Sequence, residues 1–234
     1  MKRLCLPLVA LATPLAAADR SIVVTDFGRI RVEGPFELHV ATHGTPAARI
    51  TGSRAAADRV DLRVEGTTLI VRAVGQASAG PSGAIASDAP VITLRTLNLQ
   101  TVTVIGGGTV DVVGPMHATR VDLQISGSGA ITAGGIDADQ LNVALIGAAT
   151  ATLGGRAARA RLFSNGASTI EATPLHVDAL VLRLDGTGTT HASARYSADV
   201  VTTGLGGAIV YGKPKCTVKA RGGPIDCGAA LPVK

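Results

Sequence analysis

Few side chains in this sequence have the types and spacing that do chemistry. The five histidines are His39, His43, His117, His176 and His191. None stands in an HExxH pattern or at metal-ligand spacing. His39 and His43 are four apart, which on one strand puts them on the same side about 13 Å from end to end, too far to share an ion easily. They read as single surface histidines. Asp111, Asp122, Asp137, Asp139 and Glu171 are dispersed along the chain. A lyase or hydrolase needs its carboxylates clustered, so these read as solvating charges at corners, and nothing in their spacing supports a calcium site. The segment Gly207 to Lys213, GAIVYGK, matches the first part of a phosphate-binding loop. Pro214 stands where Ser or Thr must hold magnesium, and such a loop also needs a helix after it. Asp185 before Gly186-Thr187-Gly188 is like one half of an aspartic-protease site, which needs a second matched aspartate. No GxSxG elbow occurs, and Thr132 stands where a GxGxxG beginning at Gly127 needs its last glycine. No catalytic, cofactor-binding or metal residue is assigned, and no cofactor is expected.

The cysteines and the N-terminus speak of compartment. Lys2 and Arg3 precede an apolar stretch from Leu4 to Leu15, broken by Pro7 and Pro14, and Ala16, Ala17 and Ala18 follow. A charged head, a short apolar body and a small-residue exit are the parts of a secretory signal peptide. The apolar part falls short of the roughly 20 residues that cross a bilayer. The reading is a signal peptide over residues 1–18 with cleavage at Ala18 and a mature chain over 19–234. A retained anchor is the lesser alternative, and no transmembrane span is expected in the mature chain. Cys5 lies inside the leader and away from the cleavage site, so it does not mark a lipoprotein. Cys216 and Cys227 then enter an oxidising compartment and read as one disulfide; two free thiols are the alternative. The expected location is periplasmic, cell-surface or extracellular.

Composition narrows the function classes. Among 234 residues there are Trp 0, Tyr 2 and Phe 3, while Gly reaches 29. Aromatic sugar platforms and base-stacking sheets need more rings than these. Loss of a leader carrying Lys2 and Arg3 lowers the formal charge from +5 by two, to +3. The arginines are scattered, so no basic stripe for nucleic acid is present.

These side chains hang on a repeat. Val102 to Gly114, Leu123 to Gly135, Val143 to Gly155, Leu162 to Pro174, Leu182 to Ala194 and Val201 to Lys213 begin 21, 20, 19, 20 and 19 residues apart. Each copy holds an alternating apolar segment, a small triplet and a second alternating segment. The triplets centre on Gly106 and Gly108, Gly127 and Gly129, Gly147, Gly166, Gly186 and Gly188, and, with Leu205 replacing the first glycine, Gly207. Alternation of period two means strands with one buried face. Small residues at constant spacing mean corners that need φ > 0 or admit no side chain. Glycines at this density cost a helix about 1 kcal/mol each. The pattern predicts an all-β, single-stranded parallel β-helix (β-solenoid) with coils of about 20 residues. The first third also reads as strands: Ile22 to Val24, Arg29 to Val32, Phe36 to Thr42, Ala48 to Thr51, Val60 to Val64 and Thr68 to Arg72. Glu65-Gly66 marks a turn. These form the first coils of one continuous stack. Residues 75–90, rich in Gly, Ala, Ser and Pro, read as a flexible surface loop. The segment from Lys213 to Cys227 is expected to block the last coil, because an open coil end exposes strand edges.

With the repeat, the opening Phe27-Gly28-Arg29-Ile30-Arg31-Val32-Glu33-Gly34-Pro35-Phe36 and the closing Val210-Tyr211-Gly212-Lys213-Pro214, the chain resembles the head GIN domain family of auto-transporter-type adhesins over nearly all of its mature length. The resemblance implies a β-helical, exported bacterial domain and supplies no catalytic residues. With no translocating barrel after residue 234, self-export is not expected. The function read from the sequence is a non-enzymatic, exported β-helix, adhesin-like or envelope-associated, whose flat hydroxyl-bearing faces meet an unidentified envelope or surface polymer or protein. The alternative is a carbohydrate-active β-helix enzyme, which a concave cluster of charged side chains would favour. Neither the ligand nor the oligomeric state follows from the sequence.

Overall fold

The computed structural model describes residues 18–74 and 89–230. Within it, every strand pairing from Thr101 to Ala229 is parallel. The strands there are β8 (Thr101–Gly106), β9 (Thr109–Gly127), β10 (Ala130–Gly147), β11 (Thr150–Gly166), β12 (Thr169–Gly186), β13 (Thr189–Thr202), β14 (Gly207–Gly212), β15 (Lys215–Ala220) and β16 (Ile225–Ala229). Each of β9 to β12 runs on from the second face through the third to the first and so supplies most of a coil. The fold is a β-solenoid, as the repeat requires.

Its interior is built from ladders of like residues. Val102, Leu123, Val143, Leu162, Leu182 and Val200 stack in register on one face. Val110, Ile131, Ala151, Ile170, Thr190 and Ala208 do so on the next. All twelve are buried. Each fully buried Leu, Ile or Val contributes about 1.5–3 kcal/mol, and the buried rings are Phe27 and Phe36, from the N-terminal segment. Between these two faces lie the small triplets, whose first members Gly106, Gly127, Gly147, Gly166 and Gly186 all have positive φ. The third position admits more: Ala149 and Ser168 are buried there, and the Ser168 hydroxyl donates to the Gly147 carbonyl at 3.0 Å.

The last corner differs from its reading in the sequence. Gly206 N–H donates to the Gly186 carbonyl at 2.8 Å and Gly207 N–H to that of Gly188 at 3.1 Å. The triplet is therefore Gly204-Leu205-Gly206. Leu205 takes the outward middle place, 76% exposed, and replaces no glycine. Gly207 lies one residue past the corner, opposite Thr189 in β14. This coil is shorter than the others, which slid the frame by one. GAIVYGK is mostly this strand, paired to β13 and β16 with no helix after it, so it cannot act as a phosphate-binding loop.

The N-terminal strands stack in an order the sequence does not follow. They are β1 (Ala18–Ile22), β2 (Arg29–Glu33), β3 (Glu37–Thr42), β4 (Ala47–Gly52), β5 (Val60–Glu65), β6 (Thr68–Ala73) and β7 (Val91–Thr96). The coil of β2 and β3 is sandwiched between that of β6 and β7 and that of β8 and β9. Antiparallel strands then close the end: β5 on β6 through the Glu65-Gly66 turn, β4 on β7, and β1 on β4. A four-residue helix, α1 (Arg54–Ala57), joins the two layers; its first turn is capped by Ser53, whose Oγ accepts from Ala56 N–H at 3.1 Å. β1 ends at Ile22, short of Val24. Residues 75–88 of the loop read at 75–90 lie outside the described residues, as do residues 1–17 of the leader.

At the other end, β15 and β16 add a last rung whose apolar filling besides the cysteines is Ile225, in register on Ala208. Cys216 sits in register on buried Ala198 and Cys227 on buried Val210. Their disulfide, with Cα atoms 6.3 Å apart, spans the column where hydrophobic contacts run out.

Candidate functional site

The third face of the solenoid bends inward. Its floor is a row of small residues, Ala118, Ala138, Ala157, Val177, Ala194 and Gly212, one from each of six successive rungs. Above it lies a groove of about 960 Å³. Five rung steps at ~4.8 Å make it about 24 Å long, parallel to the coil axis. The residue before each floor position forms one lip: His117, Asp137, Arg156, His176, Ser193 and Tyr211. The residue after each forms the other: Thr119, Asp139, Ala158, Asp178, Arg195 and Lys213.

Asp137 is the centre of the first lip. It accepts from Arg156 Nε at 2.6 Å and Nη2 at 3.0 Å, and lies 2.9 Å from His117 Nδ1. The Arg156 hydrogen bonds, then that of His117, hold its carboxyl at a pKa of about 2; the same contact raises the Arg156 guanidinium. The second lip is different. Asp139, Asp178 and Lys213 have no side-chain hydrogen bond or ion pair with another described residue, and the Arg195 guanidinium lies 4.7 Å from the Tyr196 ring centroid. This lip reads, along the axis, threonine, acid, alanine, acid, base, base.

The other residues singled out in the sequence lie elsewhere. Asp111 is on the second face, 3.6 Å from His39, which also meets Glu37 at 3.1 Å. Glu171 lies on that face too, where partial burial acts to raise its pKa but hydrogen bonds from Thr173 and His191, the latter at 3.0 Å, leave it lowered. Asp122 is on the first face and accepts from Asn142 at 2.8 Å. His43 is not on a strand with His39: it follows β3 with φ 63°, so the 13 Å separation does not apply. Asp185 heads a corner triplet. Among the described residues, no three His, Cys, Asp or Glu side chains gather where they could hold a metal ion, and no helix is long and apolar enough to cross a membrane.

Two expectations are thereby corrected. Asp137 and Asp139 are not dispersed but share a groove with Asp178, and the outer faces are not all flat and hydroxyl-bearing. Arg195, Tyr211, Lys213 and Asp178 were missed as site residues. The available signal was their common phase in the repeat, one place before or after a small floor residue.

A family profile described as "Putative auto-transporter adhesin, head GIN domain" matches residues 26–214. No curated protein matches the chain. A crystal structure described as a "putative adhesin" from Bacteroides fragilis superposes with a TM-score of 0.82 at 21% identity, covering 92% of this chain and 97% of its own. One described as a "Putative lipid binding protein" from Parabacteroides distasonis gives 0.71 at 19% identity, covering 90% and 96%. Another "putative adhesin" from that species gives 0.70 at 15% identity, covering 91% and 97%. At these identities the likeness is one of fold.

Proposed function

Because the chain belongs to the head GIN domain family of auto-transporter-type adhesins, we propose that it is an exported, non-enzymatic, adhesin-like module that holds an envelope or surface partner in the axial groove. The groove itself carries this reading. It is a large concavity of about 960 Å³, it runs along six rungs, and the solenoid holds its lips in fixed register. Many weak contacts along such a track add to useful avidity.

Export rests on the leader pattern and on the disulfide, which suits an oxidising compartment. The N-terminal strand agrees with cleavage after Ala18: a chain beginning at Asp19 keeps the pairs from Asp19–Thr51 to Ile22–Ala48 and the 3.2 Å contact of Asp19 with Arg49. The intact mass of protein recovered from the cell envelope tests this.

The binding experiment is retention of the mature protein on cell-wall material, polysaccharides and matrix proteins, beside an Ala158→Trp variant. Ala158 is exposed in the groove, so the indole fills the track without entering the core. Retention lost in the variant supports the groove; equal retention places binding elsewhere.

A carbohydrate-active enzyme is a second reading, favoured by Asp139 and Asp178. They stand two rungs, about 10 Å, apart along one lip, near the separation of an inverting acid and base pair. Release of reducing ends from envelope polysaccharide, abolished by Asp178→Asn, would establish it.

A further inference from the structure

The groove carries an order of charge along its axis. This inference rests on the groove being the binding site. Asp139 and Asp178 occupy one half of a lip and Arg195 and Lys213 the other. The two halves are centred about two and a half rungs, or ~12 Å, apart. Asp139, Asp178 and Lys213 are unpaired among the described residues, whereas Asp137 on the opposite lip is already engaged by Arg156 and His117.

We propose that the groove takes an extended protein segment with a cationic group and an anionic group about four residues apart, the cation seated at Asp139 and Asp178 and the anion at Arg195 and Lys213. An extended chain advances about 3.3 Å per residue, so four residues span the ~12 Å between the two charge centres. The floor of alanine, valine and glycine admits a flat backbone. A uronate or phosphate polymer repeats one sign of charge with every unit and would meet the wrong sign at Asp139 and Asp178. A neutral glycan would look for broad stacking rings, and among the described residues the groove offers Tyr211 and the smaller imidazoles of His117 and His176.

The test uses the mature chain and short, terminally blocked Ala/Ser peptides that carry Lys and Asp four apart, two Lys, or two Asp. The mixed peptide is expected to bind at least tenfold more tightly than either same-sign peptide. Asp139→Lys with Asp178→Lys makes the lip wholly cationic; it should lose the mixed peptide and gain the two-Asp peptide. Adding Arg195→Glu and Lys213→Glu restores the alternation in reverse, and the mixed peptide should bind again by lying the other way. All four are surface positions, and unchanged melting curves check that the variants fold. Equal binding of mixed and same-sign peptides, or a double variant that still holds the mixed peptide, overturns the proposal. If envelope material is retained and Ala158→Trp abolishes that retention while no peptide preference exists, the charge-order inference fails and the groove reading stands. If Ala158→Trp changes nothing, both fail.

Discussion

A Cβ on Gly166 would stand 2.5 Å from the carbonyl oxygen of Gly147 in the preceding rung. The same carbonyl accepts the Ser168 hydroxyl, so the corner is packed backbone on backbone. Gly166 also has φ +108°, where L residues are strained. Gly166→Ala is expected to cost about 3 kcal/mol from strain and contact together. Gly134 has no positive φ, and a methyl placed on it would meet nothing within 4 Å. It is the control, and Gly134→Ala should leave stability within about 0.5 kcal/mol. Urea denaturation of both variants checks this.

Thr190 breaks an otherwise apolar ladder between Ile170 and Ala208. Its Oγ1 is buried with no hydrogen-bond partner among the described residues. An unpaired buried hydroxyl is costly, and an apolar group of the same shape removes the penalty. Thr190→Val should therefore stabilise by about 1 kcal/mol, raising Tm by roughly 2–4 °C for a chain of this size. A lowered Tm would show that the hydroxyl has a partner.

The disulfide closes a loop of eleven residues' separation. On the chain-entropy account it stabilises by about 3 kcal/mol. Cys216→Ser with Cys227→Ser should lose that amount in urea denaturation, with the last rung losing amide protection before the rest. Alkylating the denatured mature protein without reductant should add no mass.

Asp137 supplies a pH signature. Its folded pKa of about 2 lies below the ordinary carboxylate value, so its contribution to stability is present above pH ~4 and is lost as pH falls toward 2. Arg156→Ala removes the larger cause and should return the Asp137 carboxyl toward about 3.9; His117→Ala should move it less. Carboxyl chemical shifts followed by NMR through the acid range check both.

The coils were legible in the sequence because each carries its own alternation and its own glycine corner, as from Leu123 to Gly135. Three things were not. The insertion of β2 and β3 between later strands leaves no local mark, since a parallel strand pairs with residues far away in the chain. The last corner was misframed because Gly186 and Gly204 are closer than the repeat predicts. The groove escaped because it depends on residues about twenty apart or more, such as Asp139 and Asp178, coming to one side of an inward bend whose own residues are plain alanines.

Mapping amide shifts of the mature protein on addition of the mixed-charge peptide tests the central claim most directly. The account predicts changes confined to the third face, at Asp139, Ala157, Asp178, Arg195 and Lys213. Changes centred instead on the first face, around Phe163 and Val201, would contradict it.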